Sequence, residues 1–532
     1  NDMAVYGRIE EVSETIQSNE IENRLDRNLE SHVEKEEQVA FPFFRLIIGS
    51  TIATFFSVVI PLLLDMVSPS QAQDLYIGWA LHQGGQLYSS YYAGQGLLYY
   101  LLLYITKGDI LFALVEWLAL LGGGYFLFSA TDYLTGQRDQ AKQFLTIFYI
   151  LVSGLGFGGG YATIVALPFL FAGFSLVARY LSNPNHDKGF LRLGLFLALS
   201  FFIEPLTSLL FIVAITVGLL VFNIGHGRFI HGIYQFFATA LGFSLLFYPL
   251  GYYVIISGGF GEALGSLLYP IDSLQVFANP KLMDNVIFYG LLTFGLGALF
   301  LVFLGLFQSK ASRLYVISVP ASFVFLFVLA LLLFSQEPLH GSRLILILPF
   351  LLLLLMTSIR GEHSGSIARR RRREEVPTLW KKFMRGNLYL PILVVVYLIA
   401  VPFVARFVLH PASHEEQHQV VDRVKQETSE GDQIYIWDSH VQIYKESQRL
   451  AGSMFPSPLL YTNTEENKTS LINDLKENQP KLIVVNDKVM LWSEVGTLLK
   501  ENYQQMKTIH HVGQAGLELL TSGDPPSSAF QS

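Results

Sequence analysis

Apolar stretches that could cross a lipid bilayer recur along most of this sequence. A transmembrane helix needs about 20 mainly apolar residues. Only 15% of the residues are charged, whereas a soluble domain carries roughly 25%. We therefore predict a polytopic α-helical membrane protein with eleven spans, near 43–64, 110–130, 143–157, 162–180, 190–203, 206–223, 231–255, 284–307, 313–334, 341–358 and 388–407.

The basic residues orient these spans. Lys, Arg and His fall on alternate short loops, and an arginine run at 369–373 lies in the loop 359–387. Basic loops are retained in the cytoplasm, which puts the N-terminus inside and the C-terminus outside. This orientation agrees with eleven crossings only if residues 94–106 do not cross the membrane. They are too few for a span, so we predict a re-entrant or interfacial helix there. The predicted membrane domain covers 43–410.

The first 42 residues are acidic, and apolar residues recur among them at helical spacing. We predict that 1–42 form a cytoplasmic amphipathic helical segment. Such a segment lies against the membrane or the protein's own loops, or docks a cytosolic or membrane partner.

Residues 411–507 predict a small extracytoplasmic α/β domain. Strands at 433–437 and 481–485 alternate with helical patterns, which is typical of a parallel sheet. Asp438 and His440 follow the first strand, where they could line a site or simply close the strand. Residues 508–532 resemble the translation of a genomic repeat element, so we predict an appended tail outside the fold.

Composition excludes several kinds of site. The chain has no cysteine, which rules out disulfides, thiolate catalysis and zinc–cysteine sites. Outer carboxylates could coordinate Mg²⁺ or Mn²⁺, although no spacing requires a metal. The basic loop 359–387 is explained by anionic membrane lipids. No nucleic-acid partner is expected, because no folded basic domain surrounds that loop.

The loop 65–106 is the predicted chemical centre. In it Asp74 opens a short helix, Gly84 and Gly85 end the helix, and several tyrosines follow. With the predicted orientation many acids reach the outer face: Asp65, Asp74, Asp109, Glu116, Glu204, Glu262, Asp272, Asp284 and Glu337. An ionisable group between long apolar stretches is costly and usually functional.

Three places resemble the GT-C polyprenyl-phosphate-sugar-dependent membrane glycosyltransferases, a superfamily that includes protein O-mannosyltransferases and aminoarabinose transferases. In the loop the matching residues are Asp74, Tyr76, Gly84, Gly85 and Tyr88. The segment 337–343 is similar to a late arginine-containing segment of that family, and 434–437 with 480–485 are similar to its outer α/β domain. The sequence departs from the family at Leu75, where a second acid is usual, and at 94–96, where a lysine and prolines are usual.

The resemblance implies a bacterial cell-membrane enzyme that moves a monosaccharide from a polyprenyl-phosphate donor to a cell-envelope glycopolymer, either a wall polysaccharide or a teichoic acid. Asp74 would be the base that takes the acceptor's proton, although an aspartate here is also typical of a helix N-cap. Arg343 would bind the donor phosphate with help from His340 and Lys107, or it could be an arginine at the membrane interface.

Further residues are predicted to bind substrate: Tyr76, Tyr88, Tyr91, Tyr92, Glu116, Glu204 and Glu337. The tyrosines equally fit an interfacial aromatic belt, and the glutamates fit structural charge pairs. Two rival functions remain, a transporter or flippase for envelope precursors and a catalytically silent assembly scaffold. A cavity that joins Asp74 to Arg343 would favour the enzyme, and a central water-filled path would favour the transporter.

Overall fold

A computed structural model describes residues 41–307, 314–359, 389–410, 413–509 and 517–521. The predictions for 1–40 and for the basic residues 360–387 lie outside the described residues.

Among the described residues, eight helices are long and apolar enough to cross a membrane, or nine if a pair bent by 72° is one span. They make the chain a helical membrane protein, as predicted, while eleven crossings stay a prediction. The eight are Phe43–Leu63, Phe112–Thr135, Tyr161–Ser182, Pro205–Gly225, Phe229–Ile256, Tyr315–Leu333, Gly341–Ser358 and Tyr389–Leu409, and the bent pair is Leu282–Gly295 with Ala298–Leu306.

Other helices are shorter or more polar. Leu97–Thr106 has only ten residues, in keeping with the short segment predicted there. Arg138–Leu155 begins with a charged turn and is too polar for a full span. Phe190–Ile203 has 14 residues and is too short for one. The remaining longer helices are Pro69–Ala80 and Phe260–Asp272.

The helix Tyr161–Ser182 is the centre of the bundle. It is buried over most of its length and packs between Phe112–Thr135 and Phe190–Ile203. The helix Phe190–Ile203 also lies very close to Phe229–Ile256. A Cβ on Gly194 would be only 2.0 Å from the carbonyl oxygen of Thr239, so this contact requires glycine. Small residues allow such close helix contacts in membranes.

The helix Pro69–Ala80 begins earlier than predicted. Ser68 is its N-cap, with Oγ accepting a hydrogen bond from the N–H of Gln71 at 3.3 Å, and Pro69 occupies the first helical position, which suits proline. Asp74 therefore lies in the middle of the helix. The predictions that Asp74 opens the helix or caps it are both wrong.

The C-terminal residues form a five-stranded sheet with the order β2-β1-β3-β5-β4. β1 pairs in parallel with β2 and β3, while β5 pairs antiparallel with β3 and β4. The strands are β1 Gln433–Trp437, β2 Leu450–Ala451, β3 Leu482–Asn486, β4 Gln504–Ile509 and β5 Leu517–Thr521, and the helices are Ser413–Glu427, Gln442–Ser447, Glu465–Asn478 and Ser493–Asn502.

One strand corrects a sequence prediction. Residues 508–532 were expected outside the fold, yet β5 lies within them and pairs with β3 along its whole length. At least this part of the segment belongs to the sheet.

The sheet region packs directly on the loop 65–106. The hydroxyl of Tyr76 accepts a hydrogen bond from the N–H of Ala451 at 2.9 Å. The N–H of Tyr92 donates to the carbonyl of Met454 at 3.0 Å. These contacts bring the segment that follows β2 to the rim of the site described below.

Candidate functional site

A cavity of about 170 Å³ lies where the helix Pro69–Ala80 meets the N-terminal ends of three candidate membrane helices. We name it the acidic cavity, and its acidic, basic and histidine side chains are Asp74, Glu204, Glu337, His340 and Arg343. All of these were predicted site residues. The structure therefore brings Asp74 and Arg343 into one cavity.

Asp74 is almost completely buried, with 4% of its surface exposed. The hydroxyl of Tyr100 donates a hydrogen bond to its Oδ1 at 2.6 Å, and no other described residue donates to Oδ2. Burial raises the pKa of Asp74 to about 7, although the Tyr100 hydrogen bond opposes this rise. A carboxylate with a pKa near neutrality is well suited to accept a proton.

Gln71 fixes the helix that carries Asp74. Its Nε2 donates to the hydroxyl of Tyr99 at 2.7 Å, and its Oε1 accepts from the N–H of Tyr161 at 3.2 Å. Both bonds are buried, so they connect the Asp74 helix to the central helix and to Leu97–Thr106. The position of the carboxylate is therefore set by three elements.

Arg343 is the cation of the acidic cavity. Its side chain forms no ion pair or hydrogen bond with the described part of the chain, and its buried Nη1 has no partner there. Burying an uncompensated guanidinium is costly. Its planar fork matches the oxygens of a phosphate or a carboxylate, so this side chain is a candidate anion site.

His340 lies three residues before Arg343 and is the N-cap of the turn Gly341–Ile347. Its Nδ1 accepts from the N–H of Ser342 at 3.2 Å, which assigns the ring proton to Nε2. Burial, reinforced by the charge of Arg343, lowers the pKa of His340 to about 4. At neutral pH His340 therefore offers an uncharged donor rather than a second positive charge.

The two glutamates of the acidic cavity have local partners. Oε2 of Glu204 accepts from the N–H of Thr207 at 2.8 Å and caps the helix Pro205–Gly225. Oε1 of Glu337 accepts from the hydroxyl of Tyr269 and from Nδ2 of Asn463, the latter at 2.9 Å. Neither carboxylate has an ion pair among the described residues, so the charge-pair alternative is not supported for them.

Several predicted site residues do not line the acidic cavity: Lys107, Tyr76, Tyr88, Tyr91, Tyr92 and Glu116. The hydroxyls of Tyr88 and Tyr91 donate to backbone carbonyls of their own loop, each at 2.8 Å. Tyr76 and Tyr92 are buried against the sheet region.

Glu116 lies inside a candidate span, where it accepts a hydrogen bond from Ser57. Lys107 ends a helix in a left-handed conformation, with φ of 55°. The contact of these six residues with substrate stays a prediction, since none of them lines the acidic cavity. A tyrosine that packs in the core and a tyrosine that binds sugar have the same sequence spacing and the same burial, so the sequence cannot distinguish them.

Tyr461, which the sequence argument missed, closes the acidic cavity from the sheet region. Its phenol interacts electrostatically with Asp74, Glu337 and Arg343. It rests on Gly94, where a Cβ would lie 2.7 Å from the phenol oxygen. No local sequence pattern marks a tyrosine in a distant loop as a site residue. The one related feature of the sequence is Gly94, which has no side chain to displace the phenol.

Metal binding stays a prediction. Among the described residues, no three His, Asp or Glu side chains come close enough together to hold a metal ion. Mg²⁺ is often held by only one or two carboxylates together with substrate phosphates, and the chemistry below uses side chains alone.

Fold and site together define a helical membrane protein whose buried acidic cavity is closed by a sheet-containing C-terminal region. Residues 31–411 match the family described as putative competence-induced protein Ccs4 N-terminal domain. Residues 414–512 match the corresponding Ccs4 C-terminal domain. The chain belongs to this competence-induced Ccs4 family. No curated protein and no solved structure matches it.

Proposed function

We propose that this protein transfers a monosaccharide from a polyprenyl-phosphate donor to a hydroxyl of a cell-envelope glycopolymer. The observation that carries the proposal is the single cavity that contains both a proton acceptor, Asp74, and an unpaired cation, Arg343. The acceptor would be a wall polysaccharide or a teichoic acid.

The chemistry needs one base and one cation. The acceptor hydroxyl oxygen attacks the anomeric carbon of the donor sugar and gives its proton to Asp74. The bond between the anomeric carbon and the phosphate oxygen breaks, and the polyprenyl phosphate leaves with the electron pair. Arg343 stabilises the charge on the departing phosphate. No second carboxylic acid is required, unlike in a glycoside hydrolase, because phosphate is already a good leaving group.

The lining of the acidic cavity suits a lipid-linked donor. Beside Arg343 it includes apolar side chains from membrane helices: Leu206, Leu331, Leu332 and Leu346. A phosphate bound at Arg343 would therefore lie beside a surface on which the first isoprene units can be removed from water.

The proposed arrangement in the membrane follows the charge pattern. We infer a GT-C-like domain over 43–410 with eleven crossings, with the acidic cavity and the sheet region at the outer face of a bacterial cell membrane. The family description tells when such proteins are made and not which reaction they perform, so the proposal rests on the cavity.

The test compares wild type with Asp74→Asn in nanodiscs. Both receive a panel of short-chain polyprenyl-phosphate sugars with envelope glycopolymer, and incorporation of sugar is followed. We expect transfer by wild type and a loss of at least ~100-fold in the variant, the scale of a missing general base. The matched control is Asp139→Asn, because Asp139 is 90% exposed and lies away from the acidic cavity.

Other outcomes would redirect the proposal. Transfer that survives Asp74→Asn would keep the enzyme and reject Asp74 as its base. If folded wild type transfers no sugar from any donor, a flippase for envelope precursors or a silent scaffold becomes the better explanation.

A further inference from the structure

A second cavity, of about 310 Å³, lies beside the acidic cavity. We name it the Trp492 cavity, and its lining includes Lys281, Gln336, Asn463, Lys468, Met490 and Trp492. Its volume is within the range of small-molecule sites, about 300–1,000 Å³. The function described above uses none of these residues.

The two cavities share a thin wall. In the segment after Pro458, Leu460 and Tyr461 line the acidic cavity, whereas Leu459 and Thr462 line the Trp492 cavity. Asn463 spans the wall, since it lines the second cavity and its Nδ2 donates to Glu337 of the first at 2.9 Å. A chain molecule in the Trp492 cavity would therefore reach the acidic cavity beside Glu337.

The lining chemistry fits a saccharide. Trp492 is partly exposed, and its ring is fixed by an edge-to-face contact with Trp437 at 5.1 Å between centroids. A rigid indole offers a large apolar surface at low entropic cost, on which the apolar face of a sugar ring can pack. The amides of Gln336 and Asn463 supply donors and acceptors for sugar hydroxyls.

The charges favour an anionic saccharide. Lys468 places Nζ over the Trp492 ring, 5.3 Å from its centroid, so the ammonium group lies at the indole surface, where it would meet an anionic group of the ligand. Lys281 also lines this cavity, and its Nζ donates to the carbonyl of Gln336 at 2.6 Å. Among the residues that line this cavity, Glu465 is the one carboxylate.

We propose that the Trp492 cavity binds the acceptor as an anionic saccharide chain, one or more units away from the hydroxyl that receives the new sugar. This inference rests on the proposed function and names the substrate class of the same site. The acceptor chain runs from the sheet region across the wall at Asn463. Its reactive end then lies beside Glu337 and Asp74.

Isothermal titration calorimetry on the full chain in nanodiscs tests the proposal, with oligogalacturonates as anionic probes and maltooligosaccharides as neutral ones. Wild type is expected to bind oligogalacturonates more tightly as they lengthen. Trp492→Ala should weaken that binding about tenfold, equivalent to about 1.4 kcal/mol, because the variant removes the aromatic surface on which the sugar ring packs. Trp492→Phe should recover part of the loss. Trp117→Ala, the same substitution on a candidate span, should leave binding unchanged.

Lys468→Ala gives a second arm that leaves the indole in place. It should weaken oligogalacturonate binding severalfold and leave maltooligosaccharide binding unchanged. The proposal is overturned if wild type binds neither series, if it prefers the neutral series, or if Trp492→Ala binds as tightly as wild type.

The design separates this proposal from the enzymatic one. If oligogalacturonates bind through Trp492 but no donor supports transfer, the saccharide site stands and the transferase fails. If transfer occurs and Trp492→Ala keeps the wild-type KM for long acceptors, the transferase stands and the saccharide site is rejected.

Discussion

Tyr100, which does not itself line the acidic cavity, donates a hydrogen bond to Oδ1 of Asp74 across 2.6 Å. The two residues come from neighbouring helices, Pro69–Ala80 and Leu97–Thr106. The bond stabilises the ionised carboxylate while burial disfavours it. The balance between these effects sets the pH at which Asp74 can act as a base.

Tyr100→Phe should therefore move the acidic limb of the activity profile to higher pH. Loss of the donor destabilises the carboxylate, so the pKa of Asp74 rises above about 7 and the base is protonated at pH values where wild type is active. A hydrogen bond to a charged group contributes about 1.5–3 kcal/mol, equivalent to about one to two pH units.

The measurement is kcat/KM for sugar transfer between about pH 5 and about pH 9, a range that brackets the limb of a base with a pKa near neutrality. Tyr104→Phe is the control, because Tyr104 lies on the same helix and stacks on His82, whereas the hydrogen bond to Asp74 comes from Tyr100. An unchanged limb in Tyr100→Phe would reject Asp74 as the titrating group.

Arg343→Gln should reduce transfer by about 100- to 1,000-fold, the cost of removing one preorganised stabiliser of transition-state charge. Arg343→Lys should recover part of that loss, because an ammonium keeps the charge but not the two-pronged geometry. Steady-state kinetics with varied donor measures both. Arg192→Gln, at an exposed arginine, should retain wild-type rates, and a similar loss there would mean that the effect is global.

The residues that the sequence could identify share one property. Asp74, Glu204, Glu337, His340 and Arg343 are ionisable groups in an apolar chain, and such groups are costly enough in a membrane to stand out. The sequence alone was enough to choose these five residues as candidates. That they converge in one cavity depends on tertiary packing, which the sequence does not show. The recurring apolar stretches likewise predicted a helical membrane protein.

What the sequence could not provide depends on distant contacts. Tyr269 and Asn463 hydrogen-bond across a separation of 194 residues, and no local pattern predicts such a pair. The start of the Asp74 helix differs from the prediction for a local reason. Ser68 followed by Pro69 is a stronger start signal than an aspartate further along the helix.

Tyr76→Phe tests whether a predicted substrate residue is structural. Its hydroxyl accepts the N–H of Ala451 at 2.9 Å, so the substitution leaves a backbone donor without its partner. We expect a loss of stability of about 1–3 kcal/mol, observed as a lower melting temperature, with an unchanged KM for donor and acceptor. Tyr248→Phe, at a tyrosine that is 70% exposed, should melt like wild type. A raised KM with normal melting would restore Tyr76 to the substrate site.

The last prediction concerns Asp438 and His440, which follow β1. Nδ1 of His440 lies 2.5 Å from Oδ2 of Asp438. Burial lowers the pKa of His440, but the Asp438 carboxylate more than offsets this, so its pKa is raised overall, and Glu446 and Glu416 act in the same direction. Burial raises the pKa of Asp438, yet the His440 charge and the hydrogen bonds to the carboxylate lower it overall.

The two shifts act on stability in opposite pH directions. A raised histidine pKa contributes stability that is complete below about 6.5, the unfolded value, and is lost as pH rises through the folded pKa. A lowered aspartate pKa contributes stability that is present above about 3.9 and is lost as pH falls. The pair should therefore stabilise the sheet region most between these two values.

Melting temperatures of wild type and His440→Gln should differ most near pH 5 and converge as pH rises well above about 6.5, because only wild type loses a charged pair there. His186→Gln, at an exposed histidine in a loop between membrane helices, should follow the wild-type curve throughout. A constant difference between wild type and His440→Gln across the whole range would mean that His440 contributes packing alone and that its charge has no part in holding the end of β1.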